Sequence, residues 1–394
     1  MNVPKLRFKE FNDEWNYNSL SNYVERIITK NKNNESNLVL TISAQYGLVD
    51  QVKFFNRKVS SSNISGYYLL NNGDFAYNKS YSNGYPWGAI KRLNNYNQGV
   101  VSSLYICFRP KNNIDSDYLE QYFETNKWYR QVSEISVEGA RNHGLLNIAV
   151  NDFFETKHYI PSIMEQAKIG QTLQLLDKKI ELQTKKIETL KLFKKGLLNF
   201  FFQNKQPNVT IENCISYGKA GGTPSSKNKD YYDGNIPFLS ISDMTSQKKY
   251  ILKTEKSISQ QGIKNSSAWI VPKNSIILSM YASYGLITIN KIELATSQAM
   301  FSMIVNSKNN IEYIYYYLEF LYNNNYYDRL VSIGTQANLN ADKVKKIKIY
   351  LPDINSQNKI SKILKLCDER IECENKKEFE LREFKQGLMQ NMFI

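Results

Sequence analysis

Two stretches of this chain space their core positions alternately by four and three residues. In the first, Ile169, Leu173, Leu176, Ile180, Ile187, Leu190 and Leu197 hold these positions, with Gln183 and Lys194 as polar members. In the second, Ile360, Leu364, Cys367, Ile371, Leu381 and Leu388 do so, with Glu374, Glu378 and Lys385 as polar members. That spacing is a narrow a/d seam rather than the broad apolar face of a globular helix, so it predicts two coiled-coil helices. Pro161 and Pro352 suit helix starts. A helix of about 40 residues is roughly 60 Å long. Polar residues in such a seam cost stability but can fix register.

The two stretches are copies of one another. Residues 160–202 align without a gap to residues 351–393 at an offset of 191, with 18 of the 43 positions identical. The shared positions include Pro161/Pro352, Gln166/Gln357, Asp177/Asp368, Phe193/Phe384 and Gly196/Gly387. A repeat of this kind indicates a duplicated structural unit.

Fainter repetition precedes each helix. "VVSSLYICFRPKNNIDSDYLEQYF" and "ATSQAMFSMIVNSKNNIEYIYYYLEFL" each read as a strand, an Asn-rich turn and a Tyr/Leu-rich helix. A Gly-containing polar loop follows in both halves, and then a short apolar strand ending in Pro, "HYIP" and "IYLP". The expected class is α+β, with two mixed α/β domains and two long helices in a pseudo-two-fold repeat. The boundaries read as a domain over 1–160, a helix over 161–202, a domain over 203–351 and a helix over 352–394.

At 394 residues the chain is too long for a single core. Its 42% hydrophobic content supports folded domains. "GLLNFFF" is far shorter than the roughly 20 apolar residues a membrane span needs, and "MNVPKLRFKEF" has no apolar signal core. The expectation is a soluble, cytoplasmic chain with no membrane association. Cys107, Cys214, Cys367 and Cys373 show neither metal spacing nor a disulfide framework. The net charge of +14 points to a polyanionic partner. Basic residues exceed acidic ones by three over 1–160, by four over 161–202 and by seven over 203–352, and they balance over 353–394. Most of the excess therefore lies in the domains.

Catalytic groups are sparse. His143 and His158 are the only side chains that ordinarily titrate near neutrality; the first reads as a solvated loop residue and the second as structural. No P-loop, HExxH, CxxC or GxSxG motif is present. "AGGTPSS" lacks the P-loop lysine and reads as a tight turn. Asp353 and Glu383 belong to the start and the far part of one long helix, so they cannot converge on a metal as nuclease carboxylates do.

Taken in order, "VPKLRFKEFNDEW", "GLLNIAVNDFF", "GGTPSS…YYDGNIPFLSISDM", "GTQANLNADKVKKIKIYLP" and the paired ends "FKKGLL" and "FKQGLM" resemble the specificity subunit of type I restriction–modification systems over the whole length. The resemblance implies a non-catalytic chain with two target-recognition domains, each reading one half of a bipartite DNA site. It also implies that the long helices pair as an antiparallel coiled coil that sets the spacing. The implied partners are double-stranded DNA, two methyltransferase subunits and, through the complex, restriction/translocase subunits. No cofactor is expected in this chain; S-adenosylmethionine, ATP and Mg would be used by the partner subunits. The competing reading is a stand-alone DNA-binding or architectural protein with duplicated heads.

Lysines and arginines give affinity through phosphates, while polar side chains at base edges give specificity. The candidate contacts in the first domain are Lys79, Ser80, Tyr81, Tyr85, Lys91, Arg92, Arg141 and Asn142. In the second they are Thr223, Ser225, Tyr281, Tyr284, Thr335, Gln336 and Asn338. All lie in polar loops after strand-like runs or in the loop that precedes each long helix.

Overall fold

The computed structural model describes residues 2–57, 59–61, 63–82, 84–136, 146–281, 283–330 and 339–394. The chain forms two compact units. Unit 1 comprises Met1–Thr184 and Lys377–Ile394, and unit 2 comprises Lys185–Lys376. Each unit thus contains half of each long helix, Ile163–Phe202 and Ile354–Met392.

Unit 1 is built on a four-stranded sheet in the order Val24–Arg26, Ile106–Pro110, Phe75–Asn78, Ala89–Arg92, with antiparallel neighbours throughout. Its inner faces bury Phe75, Tyr77, Ile90, Ile106 and Phe108. The helix Ser116–Phe123 contributes Tyr118, Leu119 and Tyr122 to the same core. Asn16–Ser19 pairs antiparallel with Lys157–Ile160, joining the start of the domain to the approach to the first long helix.

Unit 2 repeats this plan. Its sheet runs Ile215–Ala220, Met300–Val305, Ile276–Ser279, Ile287–Asn290, with Tyr250–Ile251 added at the edge. Val209–Thr210 pairs antiparallel with Lys348–Ile349, in the place of the Asn16–Ser19 pairing. The helix Ile311–Asn323 corresponds to Ser116–Phe123 and buries Tyr313, Tyr316 and Tyr317.

Each of these two helices is held to a long helix by the same device. Asp115 caps Ser116–Phe123 by accepting from the Tyr118 amide, and Asn310 caps Ile311–Asn323 through the Tyr313 amide. The backbone amides of these capping residues donate to Gln166 (2.7 Å) and Gln357 (2.9 Å) respectively. Each glutamine in turn donates to the carbonyl of its proline, Pro161 or Pro352, at 2.9 and 2.8 Å. Repetition of Gln in the sequence therefore has a mechanical cause. Gly170 allows close approach here: a Cβ would lie 2.7 Å from the Tyr118 nitrogen. Its counterpart Ser361 is buried, and its hydroxyl lies 3.2 Å from Asn310.

The helix halves run antiparallel within each unit, as the order of their cross-links shows. In unit 1, Asp177 meets Lys385 at 2.5 Å and Thr184 meets Glu378 at 2.7 Å. In unit 2, Lys186 meets Glu374 at 3.1 Å and Lys194 meets Asp368 at 2.6 Å. In both units the partner number falls as the first number rises. Ile169, Leu173, Ile180, Ile187 and Leu364 are buried; Leu176, Leu190, Leu197, Ile360, Cys367, Ile371, Leu381 and Leu388 are half-buried. The polar members Gln183, Lys194, Glu378 and Lys385 are half-buried and Glu374 is fully buried. On the outer side, Leu175, Leu182 and Phe384 are exposed in unit 1, as are Phe193, Phe200, Ile363 and Leu366 in unit 2.

Candidate nucleic-acid interface

In unit 1 the candidates follow the strand Phe75–Asn78 or form the end of the strand Ala89–Arg92. Lys79 is half-buried, and its ammonium donates to the Ile148 carbonyl at 3.1 Å. Burial lowers its pKa. Its own carbonyl accepts from the Leu146 amide. The Ser80 amide donates to Asn78, and Tyr81 is 62% exposed, the most accessible aromatic of the loop. Tyr85 closes the turn through reciprocal hydrogen bonds with Ser82.

Lys91 and Arg92 are placed differently from the sequence expectation. Lys91 is buried and bonds Glu124 at 2.5 Å. Arg92 contacts Asp117 and Glu120, both at 2.6 Å, and reaches Ser116 and Asn94 as well. These cations are matched by carboxylates of the helix Ser116–Phe123 and its cap. They hold helix to sheet. The helix Ser116–Phe123 packs against the edge strand Ala89–Arg92, which brings its carboxylates within reach of both cations.

In unit 2, Thr223 is exposed and its hydroxyl donates to Gln298 at 2.6 Å. Gln298 is itself exposed, in the loop between Ala295–Thr296 and Met300–Val305. It has the amide chemistry suited to an adenine edge, and the sequence reading missed it; the polar gap "TSQ" before a strand was the available signal. Two glycines set the position of Thr223. A Cβ on Gly221 would lie 2.0 Å from the Thr296 carbonyl oxygen, and one on Gly222 would lie 2.5 Å from the Ala268 nitrogen. "AGGTPSS" is thus a tight packing turn that sets Thr223 beside Gln298. Ser225 is exposed on the same loop. Tyr281 and Tyr284 are half-buried, and the Tyr284 hydroxyl donates to Asp328 at 2.8 Å, which raises its pKa. Together with Tyr322, Asn323 and Asn325, Tyr284 lines a cleft of about 440 Å³.

Arg141, Asn142, Thr335, Gln336 and Asn338 lie outside the described residues, as does His143. His158 is buried inside unit 1, between the Tyr122 hydroxyl and the Thr156 hydroxyl, both at 2.8 Å. Desolvation lowers its pKa to about 4, so it is neutral at physiological pH. Among the described residues there is no group of three or more metal-ligating side chains, and no helix is long and apolar enough to cross a membrane.

Comparison with known proteins gives consistent results. The family described as the type I restriction modification DNA specificity domain matches residues 208–383. The chain is 30% identical over 175 residues to the type I restriction enzyme MjaIX specificity subunit of Methanocaldococcus jannaschii, covering 44% of this chain and 40% of that protein. It is 33% identical over 133 residues to the type I restriction enzyme HindI specificity subunit of Haemophilus influenzae, covering 34% and 29%. The matched stretches thus span less than half the length of these relatives. Among solved structures, a chain from a study of type I R-M system assembly and conformational transition aligns with a TM-score of 0.61 at 14% identity, covering 98% of this chain and 99% of that one. The type I restriction-modification S subunit from M. genitalium aligns with a TM-score of 0.57 at 16% identity, covering 100% and 99%. At these identities the structural likeness establishes the fold.

Proposed function

This chain is a homologue of type I restriction-enzyme specificity subunits, and on that premise we propose that it is the DNA-reading component of such a system. The observation that carries the reading is one scaffold used twice with different loops. The anchors Gln166 and Gln357 and the pairs Asp177–Lys385 and Asp368–Lys194 are the same in both units. The loops after the matched strands differ: Lys79, Ser80 and Tyr81 in one, Met280 and Tyr281 in the other. Equal mounts carrying unequal loops suit two readers of unequal half-sites.

On this reading each unit recognises one half of a bipartite double-stranded DNA site. Thr223 and Gln298 would contact base edges in the second half, and Tyr81 would contact the first. The long helices act as a spacer whose length sets the half-site separation, with one helical turn of DNA (about 34–36 Å) the natural scale. The chain is non-catalytic. Two methyltransferase subunits dock on the outer helix faces, where Leu175 and Phe384 in unit 1 and their repeat mates Leu366 and Phe193 in unit 2 are exposed. S-adenosylmethionine, ATP and Mg are assigned to those subunits and to restriction subunits of the complex.

The test is genome-wide mapping of methylated adenines in the host with and without the gene. The expected result is loss of one bipartite motif. Exchanging residues 1–160 with those of a relative should then change one half of the motif only. A change in both halves, or methylation independent of the gene, overturns the reading. Specific DNA binding by the purified chain with no methylation motif in the host would favour a stand-alone binding protein.

A further inference from the structure

Three cations gather in unit 1 without the carboxylates that neutralise Lys91 and Arg92. Arg26 and Lys79 line a cavity of about 170 Å³ together with Tyr68, Ser103 and Tyr105. Lys30 stands beside it, its ammonium 3.3 Å above the Tyr68 ring. Among the described residues no carboxylate lines this cavity, and none pairs with Arg26, Lys30 or Lys79. The Lys79 ammonium has one neutral acceptor, the Ile148 carbonyl, and so retains donors for a ligand. Lys30 and Lys79 are half-buried and Arg26 is exposed, so the site is open to a ligand from solvent, and an anion there would supply the counter-charge that the half-buried Lys79 ammonium lacks.

The second unit shows that the fold does not require these cations. Phe75 pairs with Phe108 in unit 1, as Ile276 pairs with Met303 in unit 2. Counting along the matched strands places Met280 where unit 1 has Lys79. The backbone agrees, since the Leu146 amide donates to the Lys79 carbonyl and the Leu339 amide to the Met280 carbonyl. Arg26 pairs with Phe108, and Gly218 pairs with Met303, so Gly218 stands where unit 1 has Arg26. A side chain at Gly218 would collide with Ile215 and Phe301. The same scaffold is therefore apolar at this place in one unit and doubly cationic in the other.

The geometry points to a phosphate-binding pocket private to unit 1, formed by Arg26, Lys30 and Lys79, that takes a phosphate of the DNA backbone. This rests on the reading of the chain as a DNA-binding subunit. Arg26 supplies a planar guanidinium fork and Lys79 a point charge, a pairing suited to the oxygens of one phosphate. A contact of this kind adds affinity without sequence information and fixes the register of unit 1 on the duplex. Unit 2 lacks it, so the two half-sites are held unequally.

The full-length chain is tested beside Lys79→Met, which installs the residue that unit 2 carries at this position, and Arg26→Gln. Affinity for a cognate and an unrelated duplex is measured across salt concentration. Each variant should lose affinity equally for both duplexes, and the affinity ratio between 50 and 200 mM salt should shrink by roughly threefold, the effect of about one phosphate contact. In parallel, thermal melting with inorganic phosphate is compared with chloride at equal ionic strength. Stabilisation of the parent but not of Lys79→Met is expected. Phosphate stabilisation with an unchanged salt slope would assign the pocket to a free phosphate and overturn the backbone assignment. Neither effect in either variant overturns the pocket. If the parent binds no DNA, the functional reading fails, yet the phosphate melt still decides whether this is an anion site.

Discussion

Lys194 and Asp368 meet at 2.6 Å in unit 2, and their repeat mates Lys385 and Asp177 meet at 2.5 Å in unit 1. Each pair puts a seam lysine of one long helix on an aspartate of the other. The helices Ser116–Phe123 and Ile311–Asn323 join the same clusters: Gln121 donates to Asp177 at 2.9 Å, and the Tyr316 hydroxyl donates to Asp368 at 2.7 Å. The two clusters are nevertheless unequal. Lys194 also meets Glu319 at 2.8 Å, and Lys249 joins Asp368 and Glu312. Asp177 by contrast is 46% exposed.

That inequality predicts different costs for the same substitution. Lys194→Ala leaves Glu319 without its lysine, while Asp368 keeps Lys249; removing one partner from a largely desolvated cluster of this kind costs about 3 kcal/mol. Lys385→Ala leaves unpaired an aspartate, Asp177, that already reaches solvent, and should cost about 1 kcal/mol or less. Urea unfolding of the two variants measures the difference. Equal losses would show that the clusters are energetically alike.

Gln166→Ala and Gln357→Ala should each loosen one of the capped helices, Ser116–Phe123 or Ile311–Asn323. Each change removes two hydrogen bonds and leaves a capping-residue amide unpaired, at about 1–3 kcal/mol. Amide exchange should quicken over Ser116–Phe123 in the first variant and over Ile311–Asn323 in the second. Quickening of both helices by either variant contradicts separate anchoring.

His158 makes unit 1 sensitive to acid. Its pKa is about 4 in the fold, against an ordinary value of about 6.5. Below 6.5 the unfolded chain binds a proton that the folded chain refuses, so stability falls as pH drops from 6.5 toward 4. The loss reaches about 2 kcal/mol by pH 5. His158→Gln should be less stable than the parent at pH 7, and that gap should narrow as pH falls to 5. A gap independent of pH means that His158 titrates normally.

Gly221→Ala forces a methyl group against the Thr296 carbonyl oxygen, which would lie only 2.0 Å away. The turn must shift, at a cost of about 2 kcal/mol or more, and carry Thr223 away from Gln298. Methylation mapping should show degraded recognition in the second half of the motif with the first half intact. Gln298→Ala should relax the same half with little loss of stability. A uniform drop in affinity across sequences would make Gln298 a backbone contact.

The sequence by itself determined the duplication, the two long helices and the α+β class. These rest on local periodicity: a 4-3 spacing repeats because each turn of a coiled-coil helix must present an apolar residue to the same partner. Ile169, Leu173, Ile187 and Leu364 could be placed in the core from spacing alone. The fate of individual cations was decided by the tertiary structure. Lys79, Lys91 and Arg92 lie close together in the chain with similar chemistry. The packing of the helix Ser116–Phe123 against the edge strand Ala89–Arg92 pairs the latter two with Asp117, Glu120 and Glu124. The pairing of Ile106–Pro110 with both Val24–Arg26 and Phe75–Asn78 brings Arg26 to Lys79 across more than fifty residues. Charge is a property of the residue, but its availability depends on which neighbours the sheet brings within reach, and that is a non-local outcome of strand order.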